Sequence, residues 1–214
     1  MKRLQFWFDP VSPYAYLAFE RLPEALVGQS YVVDYRPVLF AGLLEHWGQK
    51  GPAEMEPKRA WTFRQVEWLA RRHGLPLHTP LQHPFNPIAL LRLVLATAPA
   101  GGTPNRRAVE TVLRHVWCGA GADATDPARL QGLAHTLAPQ RDPQSVEVKS
   151  ELRQAGQEAL ALGVFGVPTI ECEGRLFWGL DSLEMLAECL RGEPWFDAGW
   201  NAAGAPRAGV QRKA

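Results

Sequence analysis

The stretch "FDPVSPYAYLAFERL", Phe8 to Leu22, decides the reading of this 214-residue chain. Before it, the apolar run "LQFWF" (Leu4 to Phe8) reads as a short strand that stops at Asp9-Pro10. After it, Tyr14, Leu17, Ala18, Leu22, Ala25 and Leu26 recur at helical spacing, so a helix follows and ends near Gly28. Ser12 stands at the junction. Serine is a preferred N-cap, and Pro13 then takes the first helical position, where its missing N–H costs nothing. Ala15, three residues on, cannot complete a capping box. No G-x-S-x-G surrounds Ser12, which argues against a hydrolase nucleophile elbow. Alone, Ser12 reads as a cap.

Working outward, "YVVDYRPVLF" (31–40) reads as a second strand with Pro37 near its end, because proline cannot donate to a central ladder. A strand–helix–strand unit of this length predicts a right-handed parallel crossover. From Pro57 to about Gly163 no strand pattern appears. Helices are predicted over 57–74, 86–98, 105–119, 126–138 and 142–163, with Asp126-Pro127 and Asp142-Pro143 as cap-and-N1 pairs. Then "PTIECEG" and "RLFWG" form two short strands about a Glu173-Gly174 turn, and "DSLEMLAECLRG" closes with a helix whose candidate N-cap is Asp181. A β-α-β half and a β-β-α half can share one mixed sheet. The fold class is therefore α/β, a thioredoxin-like domain with an all-helical insertion domain. The predicted division is 1–60 and 147–200 for the thioredoxin-like part, 61–146 for the insertion, and 201–214 as a loosely ordered tail.

Composition narrows the function. With 46% apolar and 21% charged residues a sizeable core is available. A net charge of +1 gives no electrostatic footprint for nucleic acid or an acidic membrane. No segment approaches the roughly 20 apolar residues that span a bilayer, and "MKRLQFWFD" lacks the apolar core of a signal peptide. Three cysteines, Cys118, Cys172 and Cys189, are odd in number and far apart, which fits a reducing compartment; cytoplasm is the expected location. The six histidines show no metal-ligand spacing and read as structural or surface residues. Trp61 and Trp68, seven apart on one helix, read as core, and Cys118 as a small buried hydrophobe.

The second informative stretch is "GVFGVPTI", Gly163 to Ile170. A Val-Pro pair opening a strand predicts a cis peptide at Val167–Pro168. In thioredoxin-like folds this loop lies beside the first helix's N-terminus, where the backbone of Val167 can pair with an extended peptide.

Together, "FDPVSPYAYLA", "GVFGVPT" and "WGLDSLEML" resemble 2-hydroxychromene-2-carboxylate isomerases and their relatives, the kappa-class glutathione transferases. The resemblance covers roughly residues 3 to 192 and includes "GQKGPAEMEPKRAW". Thioredoxin-like disulfide oxidoreductases carry C-x-x-C where this chain has "SPYA", so their redox chemistry is absent. The resemblance implies glutathione as cofactor and Ser12 as the catalytic hydroxyl that hydrogen-bonds its sulfur. It implies that Val167 and Pro168 grip the cysteinyl part, that Asp181 receives the γ-glutamyl ammonium, that Leu180 contributes backbone, and that Lys58 and Gln49 lie near the glutathione. Gln49 stands where relatives usually have asparagine, Trp61 replaces a tyrosine, and Ser182 an arginine; these departures touch the expected substrate pocket. The implied activity is glutathione-dependent isomerisation of a small aromatic substrate, and the implied assembly a homodimer. A kappa-class transferase, needing the same thiolate site, and a non-catalytic thioredoxin-fold binding protein remain open alternatives.

Overall fold

The N-terminal apolar run is buried on both faces, and this sets the architecture. A computed structural model of the chain describes residues 1–204. Its elements are β1 (Lys2–Phe8), α1 (Pro13–Ala25), β2 (Tyr31–Pro37), α2 (Phe40–His46), α3 (Glu56–Arg72), α4 (Ile88–Ala96), α5 (Arg106–Trp117), α6 (Pro127–Leu137) and α7 (Val146–Ala161). They continue with β3 (Thr169–Cys172), β4 (Arg175–Trp178), α8 (Leu183–Leu190), α9 (Trp195–Ala198) and α10 (Trp200–Ala203). Single 3-10 turns occupy Pro52–Glu54 and Leu180–Ser182.

The sheet order is β2-β1-β3-β4. β1 runs parallel to β2 and antiparallel to β3, and β3 pairs antiparallel with β4. This is a thioredoxin-like mixed sheet, with α3 to α6 inserted between its halves. The hairpin turns on Glu173 and Gly174 at φ 52° and 79°, the positive angles that a two-residue type I′ turn needs. Val167–Pro168 is cis, as the Val-Pro strand entry predicts, and so is His83–Pro84.

Alternation along β1 divides the core. Leu4, Phe6 and Phe8 face one side and Trp7 the other, all fully buried. A strand covered on both faces reads as a continuous apolar run, which explains "LQFWF". The Phe6 ring lies 5.9 Å from Tyr35 and 6.4 Å from Phe19, both edge-on. The same apolar cluster takes in Val66, Leu90, Val94, Val109 and Trp117 from the inserted helices. Trp7 instead packs with Val38, Leu43, Ala155, Ala159 and Val164. Helices therefore cover both faces, with α2 and α7 behind Trp7.

Several local expectations are corrected. The second strand, expected over 31–40, ends at Pro37, and Phe40 instead opens a helix, Phe40–His46. α7 is capped by Ser145, whose side chain accepts from the Val148 N–H; Asp142 instead accepts from the Gln144 N–H in the preceding turn. Asp181 sits inside the 3-10 turn, and Ser182 is the residue before α8, without a side-chain cap bond. Trp61 and Trp68 are 63% and 54% exposed, so their shared face of α3 borders solvent. Cys118 is partly exposed, with Sγ 3.3 Å from the Tyr16 hydroxyl. The expected loose tail begins inside α10; residues 205–214 lie outside the described residues.

Phe6→Ala should cost about 3–5 kcal/mol of stability, the usual range for emptying a buried aromatic site. Denaturant unfolding measures this directly. A loss below about 1 kcal/mol would show that sheet and insertion do not share the core around Phe6.

Candidate active site

Asp9 directly follows β1 and is completely buried. One carboxylate oxygen accepts the Val11 N–H and the other the Phe40 N–H, both at 2.9 Å. Its backbone oxygen accepts the Ser12 N–H at 3.0 Å. The residue before α2, Leu39, has no capping side chain, so Asp9 caps that helix from across the sheet. Burial pushes the Asp9 carboxyl up to about 7, although its two N–H donors pull the other way.

Asp9 thereby holds the turn that delivers Ser12. Ser12 is buried at the N-terminus of α1, and its Oγ accepts the Ala15 N–H at 3.2 Å, an N-cap bond. The same hydroxyl donates to the Val167 carbonyl at 3.3 Å. Ser12 and the Val167–Pro168 loop, 155 residues apart, therefore meet at one helix end. The Val167 N–H makes no hydrogen bond among the described residues.

Beside this contact lies a groove of about 850 Å³ whose lining includes Tyr14, Val167, Pro168, Trp178, Leu180 and Asp181. Thr62, Gln65 and Leu69 of α3 form its facing wall. The Tyr14 hydroxyl donates to Gln65 Oε1 at 2.6 Å, and burial, with the charge of Asp181 adding, raises its pKa so that it stays protonated. Trp178 lies over Gly166, where a Cβ would fall 2.6 Å from the indole Nε1. Only glycine leaves room for this ring, which packs against Phe165 at 4.9 Å.

Of the residues singled out in the sequence, Ser12, Val167, Pro168, Leu180 and Asp181 come together here. Lys58 is exposed in the first turn of α3 and does not line the groove, although it lies on the same helix face as Thr62, Gln65 and Leu69, which do. Gln49 is exposed in the turn after α2, held by its N–H on the Leu44 carbonyl at 2.8 Å, and does not line the groove. Asp9, Tyr14 and Trp178 escaped the sequence reading as site residues. Asp9-Pro10 carried a signal, but as a strand stop.

The fold and this junction define a class. The chain belongs to the family of DsbA-like thioredoxin domains, whose profile matches residues 3–191. Among curated relatives, the 2-hydroxychromene-2-carboxylate isomerase of Sphingobium xenophagum is 30% identical over 196 residues, covering 88% of this chain and 98% of that protein. Glutathione S-transferase kappa 1 of Homo sapiens is 23% identical over 217 residues, covering 91% and 92%. A solved 2-hydroxychromene-2-carboxylate isomerase superposes with a TM-score of 0.75 at 22% identity, covering 95% of this chain and all of that one.

The Asp9 shift fixes a pH dependence. A carboxyl whose folded pKa lies above its unfolded value, near 3.9, stabilises the fold fully below that value and loses the contribution as pH rises through about 7. The stability difference between wild type and Asp9→Asn should therefore fall as pH is raised from about 4 to about 7. Melting curves of both proteins across that range check it; a difference independent of pH would refute the assignment.

Proposed function

We propose that the chain is a glutathione-dependent isomerase of the 2-hydroxychromene-2-carboxylate type, acting on a small aromatic compound. The observation that carries this reading is the meeting of the Ser12 hydroxyl with the Val167 backbone at the N-terminus of α1, beside a groove whose lining includes Asp181. The polar groups fit a cysteinyl peptide: a Val167 N–H without a hydrogen bond among the described residues, a hydroxyl at a helix N-terminus, and a carboxylate that can accept from an ammonium group. The groove volume is within the usual range for ligand sites and leaves room for a second small molecule. Curated relatives include isomerases at 30% and 26% identity and kappa-class transferases at 23%, 27% and 25%; isomerisation is named first on the 30% relative alone.

Glutathione bound here would supply a thiolate, the nucleophile for addition to, and elimination from, a conjugated carbon–carbon double bond. The chain's own residues prepare a place for that charge. The N-terminus of α1 carries partial positive charge and favours an anion. Ser12 can turn its proton from the Val167 carbonyl to a sulfur, because 3.3 Å is long for an O–H···O bond and little is lost. Its lone pair stays on the Ala15 N–H, so the cap survives the change. Val167 presents backbone to the peptide, Leu180 and Asp181 lie at the α8 end, and Lys58 adds a cation from α3. A hydroxyl donating to the ionised form lowers a thiol pKa. The same residues would serve a kappa-class transferase.

Ser12→Ala separates cap from activator. Losing the cap costs about 0.5–2 kcal/mol of stability and leaves a bound thiol's pKa alone. Losing a hydrogen bond to charged sulfur costs about 1.5–3 kcal/mol, a rise of about one to two pKa units at 1.36 kcal/mol each. Ultraviolet thiolate absorbance, titrated with glutathione bound, should show that rise. Identical titration of wild type and variant, with only stability reduced, would contradict the reading.

Glutathione should also raise the melting temperature of the wild type by mass action, with about 2.7 kcal/mol gained at 100 times its dissociation constant. No shift at high millimolar glutathione would leave a binding protein of another kind.

A further inference from the structure

We propose that His83 and Trp117, both from the helical insertion, are positioning residues that hold the Ser12 turn in its working geometry. The effect on chemistry rests on the glutathione reading above; the clamp itself does not.

The turn Asp9–Ser12 belongs to no helix or strand, yet its backbone is tied at almost every polar atom. Asp9 bonds the Val11 N–H through its side chain and the Ser12 N–H through its carbonyl. The Ser12 carbonyl accepts from α1, and the carbonyls of Pro10 and Val11 find their donors in the insertion. Trp117 Nε1–H donates to the Pro10 carbonyl at 2.9 Å, and His83 Nε2 bonds the Val11 carbonyl at 2.8 Å. A carbonyl only accepts, so Nε2 carries the proton and Nδ1 is a lone pair.

That Nδ1 is buried and has no partner among the described residues. An unpaired buried acceptor is unfavourable, so the histidine's polar contribution at this position is its bond to Val11. Burial, chiefly, lowers the His83 pKa and keeps the ring neutral. The ring cannot swing away. It meets Phe63 edge-on at 5.0 Å, Phe85 at 6.2 Å and Trp117 at 5.8 Å. Trp117 is itself fully buried in the shared core. The insertion therefore does more than thicken the core: it grips the residue immediately before Ser12. A displacement of about 1 Å at a reacting group can cost on the order of a hundredfold in rate.

The test uses the full chain. His83→Phe keeps the ring packing and removes the donor. His83→Gln restores a donor near the position of Nε2. Hydrogen exchange at the Val11 and Ser12 amides is measured with isomerase kinetics using glutathione and 2-hydroxychromene-2-carboxylate. In His83→Phe those amides should exchange about tenfold faster, the signature of local opening. The kcat should fall about tenfold or more with the KM for glutathione little changed, because the contacts to the peptide backbone remain. His83→Gln should return both values to within about twofold of wild type. Unchanged exchange in His83→Phe would overturn the clamp, and faster exchange with unchanged kcat would overturn its role in positioning Ser12. If wild type neither binds nor uses glutathione, the functional reading fails, and the exchange rates alone decide the clamp. If His83→Phe does not fold, Trp117→Phe, which loses the bond to Pro10, is read the same way.

Discussion

β1 is buried on both faces, and the other elements take their places from that constraint. A strand with Phe6 and Phe8 on one side and Trp7 on the other needs a helical layer on each side. α1 and the insertion supply one layer, α7 and α2 the other. The chain leaves β1 at Asp9, where these layers and the Val167–Pro168 loop converge. In open α/β sheets, ligand crevices form outside the carboxyl ends of the strands, and the groove beside Ser12 follows that rule.

Asp9 shows how packing and site share one residue. Its carboxylate closes the turn to Ser12 and caps α2, and among the described residues no cation pairs with it. The arrangement keeps a polar group in the core with two hydrogen bonds, and burial raises its pKa. Stability and the placing of Ser12 are therefore coupled through the same side chain.

Much of this was legible in the sequence because the signals are local. Helical spacing after Pro13, the Glu173-Gly174 turn and the Val-Pro strand entry each act over a few residues, and each agrees with the structure. α2 was not legible because its cap comes from Asp9, 31 residues earlier in the chain. The cap of α7 was misread because Asp142-Pro143 and Ser145 offer competing local signals, and Asp142 closes a turn instead. Trp61 and Trp68 share a helix face, but spacing cannot say whether that face meets the core or solvent. At the site, Ser12 and Val167 emerged from motif order. Tyr14 and Trp178 did not, since their places depend on Gln65 and Gly166 in distant segments. The hold of His83 and Trp117 on the turn is equally non-local.

The central claim is that this chain presents a thiolate site at Ser12 for isomerisation without net consumption of glutathione. The most direct measurement follows purified protein with 2-hydroxychromene-2-carboxylate, with and without glutathione, and quantifies free glutathione at the end. The account predicts interconversion of the ring-closed and ring-opened isomers only when glutathione is present, with all of it recovered. Turnover without glutathione, or its loss into a stable thioether, would contradict the account.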